Sequence, residues 1–72
     1  MSDIREGIHT MTNPKGTGWV NQANGVTVSS HRDKTNALAE GRQLARTYGA
    51  QLTIHRRDGS VMQTHSYTPP EL

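Results

Sequence analysis

The chain has 72 residues, 31% of them hydrophobic, with no Cys, no Phe, one Trp (Trp19), two Tyr (Tyr48 and Tyr67) and a formal charge of +2. That length holds one domain with a thin core built mainly from Val, Leu, Ile and Ala, and the absence of Cys excludes disulfide stabilisation. No apolar run reaches the ~18 residues of a membrane span and the first ten residues lack a signal-peptide core, so no membrane association is expected and the predicted location is cytoplasmic.

Residues 1–14 show no hydrophobic period and read as a flexible N-terminal tail. Asn13-Pro14 and Gly16-Thr17-Gly18 are turn signals that lead into a single domain over 15–68, and Met11 stands as an alternative start. Trp19–Gln22 is a short strand candidate. Val26–Ser30, rich in β-branched residues with Val26 and Val28 on one face, is the next. Asn24-Gly25 between them favours an antiparallel hairpin, because both residues tolerate the positive φ of a type I′ turn.

From Asp33 the period changes. Ala37, Leu38, Gly41, Leu44, Ala45 and Tyr48 recur at three- and four-residue steps and define the inner face of a helix. Asp33 is placed to cap the first turn, and Gly49 suits the left-handed position that ends the helix. Gly41 on the inner face costs up to ~1 kcal/mol of helix propensity relative to Ala, which close helix-to-sheet packing explains. Leu52–His55 then alternates again, and Asp58-Gly59 separates it from Val61–Thr64 as a hairpin signal. A two-residue loop pairs Arg56 with Val61 and puts Leu52, Ile54 and Val61 on one face, whereas a three-residue loop brings Met62 there; the first register buries the better strand former. Pro69-Pro70 opens a C-terminal tail at 69–72. The expected fold is α+β: ββαββ, a four-stranded, mostly antiparallel sheet with one helix on one face.

Gly41-Arg42-x-Leu44-Ala45, the Gly49-Ala50-x-Leu52-x-Ile54-His55 segment and the Arg57-Asp58-Gly59 turn, preceded by Gly18-Trp19-Val20 and followed by Ser66-Tyr67, resemble a family of small bacterial proteins catalogued as domain of unknown function 2188. The likeness covers roughly residues 15–69. The family usually opens the helix with Thr and has Glu three residues on, where this chain has Asp33 and Asn36. Its usual Ser-Tyr ending followed shortly by Asp-Pro appears here as SYTPPEL. The resemblance implies the fold and a bacterial or phage setting, and no activity.

The carboxylates that acid–base chemistry would need are otherwise engaged. Asp33 caps, Asp58 turns, Glu40 lies on the solvent side of the helix, and Asp3, Glu6 and Glu71 fall in the expected tails. His9, His31, His55 and His65 have none of the close spacings of metal ligands, so neither metal nor cofactor is expected. Ser30-His31 is no nucleophile pair, since adjacent strand residues point to opposite faces. Lys15-Gly16-Thr17-Gly18 lacks the spacing and following helix of a phosphate loop. The expectation is therefore a non-enzymatic protein.

Two binding surfaces remain. A helix covers only one sheet face, which leaves Thr27, Ser29, Thr53, His55 and Met62, or an edge strand, for a protein partner or a second copy of the chain. The alternative is DNA or RNA. Between His31 and Arg57 six bases (Arg32, Lys34, Arg42, Arg46, Arg56, Arg57) face two acids (Asp33, Glu40). Arg42, Arg46, His55, Arg56 and Arg57 would contact phosphates, with Trp19 stacking on a base.

Overall fold

The structure, a computed structural model, describes residues 7–67. The first six residues and the tail expected at 69–72 lie outside the described range. Five strands and one helix follow in the order β1 (Ile8–Thr12), β2 (Trp19–Ala23), β3 (Val26–His31), α1 (Lys34–Tyr48), β4 (Gln51–His55) and β5 (Val61–Ser66). The strands form one sheet in the order β3-β2-β1-β4-β5.

The α+β class stands, but the sheet has five strands and is mixed. Residues 8–12, expected in the tail, form its central strand. β1 pairs antiparallel with β2 and parallel with β4. This parallel pair follows from the α1 crossover: β3 enters the helix at one edge, and β4 returns on the far side of β1. Met11 lies within β1, so a start at that residue would remove Ile8, which is fully buried in the core.

The first hairpin forms as expected. Asn24 and Gly25 take φ of 52° and 79°, the two positive angles of a type I′ turn. A bulge between Asn21 and Gln22 interrupts the β2–β3 register, and Val26 and Val28 are both exposed.

The helix caps also form as expected. Asp33 Oδ1 accepts from the Asn36 N–H at 2.9 Å, and Asn36 Nδ2 donates to Asp33 Oδ2 at 3.3 Å, so both carboxylate oxygens of the cap are engaged by Asn36. Gly49 is left-handed with φ 61°. Ala37, Gly41 and Ala45 are the buried helix residues. Tyr48, expected on that face, is 48% exposed.

Gly41 faces Thr10 and Asn21 directly. A Cβ there would lie 2.7 Å from Asn21 Oδ1, 2.8 Å from Thr10 Oγ1 and 3.3 Å from Leu52 Cδ1. The missing side chain thus makes room for a buried polar pair. Thr10 Oγ1 donates to Asn21 Oδ1 at 2.6 Å, and Asn21 Nδ2 donates to the Ala37 carbonyl at 2.9 Å and to Ser29 Oγ at 3.0 Å. Each polar side-chain atom of this pair thereby has a partner, and no buried side-chain N or O among the described residues lacks one. Ile8, Ala45, Leu52 and Ile54 complete the core.

The second hairpin departs from the expected register. Arg56 N–H donates to the Ser60 carbonyl at 2.7 Å and Gly59 N–H to the Arg56 carbonyl at 2.9 Å, with Gly59 at φ 94°. The loop is therefore the three residues Arg57-Asp58-Gly59, a turn with glycine in the bulge position. A second irregularity between Ile54 and His55 sets Gln63 opposite Ile54 and Val61 opposite His55. Val61 consequently leaves the face of Leu52 and Ile54 and is 52% exposed.

Candidate functional site

Strand alternation and register divide the sheet into two faces. Ile8, Thr10, Asn21, Leu52 and Ile54 face α1. His9, Met11, Gln22, Thr27, Thr53, His55 and Thr64 lie on the open face. Of the five residues expected on that face, Thr27, Thr53 and His55 are there. Ser29 is opposite Asn21 and bonded to it, on the helix side. Met62 sits at the β5 irregularity, where its sulfur takes the Lys34 ammonium at 3.6 Å. Both departures come from the bulges, since an extra residue reverses the facing of every later side chain. Val20, also on the open side, is buried, and with Asn13, Pro14, Lys15, Gln22, Thr27 and Ser30 it lines a recess of about 560 Å³.

The basic residues do not gather into one patch. Trp19 lies on the helix side and is only 7% exposed, with Lys34 Nζ 5.1 Å and Arg57 Cζ 5.8 Å from its ring centroid. The ring clips the start of α1 and the hairpin loop to the start of β2 through cation–π contacts, and its burial leaves no open stacking platform. Arg46, twelve residues beyond Lys34, stands about 18 Å further along the helix at 1.5 Å per residue, over the Tyr67 ring at 5.7 Å. Arg42 is exposed on the helix between them. Arg56 binds its own hairpin, donating to the Val61 carbonyl at 3.0 Å and to Ser60 Oγ at 3.3 Å.

Ser30 does not meet His31, whereas Ser29 does, at 3.1 Å from His31 Nε2. Ser29 accepts from Asn21 and its hydroxyl also bonds the imidazole, so this contact extends the buried polar chain toward solvent.

One pairing was missed by reading along the chain. His9 on β1 and His55 on β4 lie on the open face of adjacent parallel strands, with His9 opposite Thr53 and His55 two residues further on. His9 Nδ1 and His55 Nε2 are 2.9 Å apart, the ring centroids are 5.2 Å apart, and the ring planes meet at 28°. His55 Nδ1 lies 3.0 Å from the Gly59 carbonyl. A carbonyl only accepts, so His55 carries its hydrogen on Nδ1 and, with both rings neutral, His9 Nδ1–H donates to the His55 Nε2 lone pair. The only signal for this pair in the sequence was the alternation of Ile8, Thr10 and Thr12 against His9 and Met11.

Among the described residues, no group of three or more His, Cys, Asp or Glu is arranged around one point as metal ligands, and no helix is long and apolar enough to cross a membrane.

These features define a small α+β domain with one helix-covered and one open sheet face. The family model described as an uncharacterized protein conserved in bacteria (DUF2188) matches residues 8–67, and the chain belongs to that family. The match takes in all of β1, whereas the motifs read from the sequence began near residue 15. No curated protein and no solved structure matches the chain.

Proposed function

We propose that the protein is a non-enzymatic binding module whose open sheet face takes a second copy of the chain. The observation that carries this reading is the distribution of charge. The five strands contain no Lys, Arg, Asp or Glu, while Lys15, Arg32, Lys34, Arg42, Arg46, Arg56 and Arg57 lie in the helix and turns with only Asp33, Glu40 and Asp58 to offset them. Two such net-positive bodies repel through their helix sides and approach at least electrostatic cost through the neutral face. The Thr, Gln and His side chains there suit a wet contact rich in hydrogen bonds. The uncharged edges β3 and β5 are each interrupted by a bulge, a device that discourages strand addition, which favours the face over the edge.

Light scattering across a concentration series tests the reading. Wild type is expected to rise above one chain mass, and Thr53→Asp, which sets a charge in the middle of the face, to remain monomeric with an unchanged far-UV spectrum. A wild type that stays monomeric at the highest concentration overturns it. The alternative, nucleic-acid binding by Arg42, Arg46, His55, Arg56 and Arg57, is tested by titrating labelled duplex and single strands at two salt concentrations. Phosphate contacts weaken steeply as salt rises, and such binding retained by Thr53→Asp would favour that reading.

A further inference from the structure

We propose that His9 and His55 form a two-imidazole site for a divalent transition metal, with Cu²⁺ and Ni²⁺ as the best-fitting ions. Imidazole suits these ions, and they favour square-planar or tetragonal surroundings in which neighbouring ligands stand at right angles. With metal–nitrogen bonds of about 2.0–2.1 Å, two nitrogens at right angles are about 2.9 Å apart, and two at the tetrahedral angle about 3.3–3.4 Å apart. The observed separation of His9 Nδ1 and His55 Nε2 is 2.9 Å. The two strands thus hold the ligand atoms at the separation a tetragonal ion needs, and a turn of the rings that points both lone pairs at the ion instead of at each other completes the site.

The second observation is the Gly59 carbonyl. A metal-bound histidine nearly always donates its other ring N–H to a carbonyl, a carboxylate or water, which fixes the tautomer and orients the ring. His55 Nδ1 stands 3.0 Å from the Gly59 oxygen, which leaves Nε2 without a hydrogen and able to act as a ligand beside His9. For His9 to bind through Nδ1, its hydrogen moves from Nδ1 to Nε2 by exchange with solvent. No net proton is released from the neutral pair, and the hydrogen bond between the rings is replaced by two metal–nitrogen bonds. The other coordination positions fall to water or to groups outside this pair. Whatever else covers the open face, both ligands belong to one chain, so the site does not depend on self-association.

Calorimetric titration of the untagged full chain with NiCl₂ and with CuCl₂ in a non-chelating buffer at neutral pH tests the site. Wild type is expected to show saturable binding that His9→Asn and His55→Asn each weaken at least tenfold. His65→Asn, opposite Leu52 on the helix side, is expected to leave it unchanged. Equal affinity in wild type, His9→Asn and His55→Asn, or an equal loss in His65→Asn, overturns the proposal. Should either variant fail to fold, paramagnetic broadening by Cu²⁺ in the wild type decides. Loss of signal centred on the His9 and His55 rings supports the site, and broadening centred elsewhere refutes it.

Discussion

The two faces of the sheet are built from the same strands on opposite principles. The covered face is made of small and aliphatic residues plus a matched polar pair, Thr10 and Asn21, fitted under the gap at Gly41. The open face carries Thr, Gln and His beside Met11 and Val20, with two imidazoles in contact across β1 and β4. The difference teaches where this small domain gets its stability and where it has freedom to bind. A substitution on the covered face has to be absorbed by close packing, while one on the open face meets water or a partner.

The largest expected effect is at the centre of the covered face. Leu52→Ala, at a fully buried site, is expected to cost about 2–5 kcal/mol. Since a domain of this kind has only about 5–15 kcal/mol in total, urea denaturation should show either an early midpoint or a chain unfolded without denaturant. Gly41→Ala sharpens the comparison because it improves helix propensity by up to ~1 kcal/mol and overpacks the core by about 1–3 kcal/mol. A net destabilisation is expected, accompanied in NMR spectra by shifts at Thr10 and Asn21. A stabilised variant would mean that helix and sheet are not in close contact there.

The smallest effect belongs to the hairpin loop. Asp58 is held below its ordinary value of 3.8 by hydrogen bonds from the Ser60 hydroxyl and then from the Ser60 backbone N–H. A carboxyl whose folded value is depressed favours the folded loop above its unfolded value and loses that contribution as pH falls through the lower folded one. Acid titration followed at the Ser60 amide should therefore show a step below pH 3.8 that Asp58→Ala abolishes, while the covered face is unaffected.

What could be read from the sequence was what local rules decide. The helix was legible from Asp33, Gly49 and the spacing of Ala37, Gly41 and Ala45. The first hairpin was legible from Asn24-Gly25. β1 was not, because the residue that completes its inner face is Thr10, whose burial depends on Asn21 across the sheet and on the absence of a side chain at Gly41. With β1 unseen, His9 was placed in a tail, and its meeting with His55 could not be deduced. Val61 and Met62 were misassigned for a related reason. Asp58-Gly59 marks a turn without fixing its length, and one added residue exchanges the two faces.

The parallel ladder at the centre of the sheet also bears on how quickly the chain finds its structure. β2–β3 and β4–β5 are each closed by two or three residues, so they are available on the microsecond scale of isolated hairpins. The seam between them joins position 8 to position 52, and the entropy of that long closure must be met before β1 and β4 reward it. Closure of this seam is therefore the expected slow step. Until that seam closes, β1 and β4, neither of which carries a charged side chain, lack the partner strand that covers their inner edges.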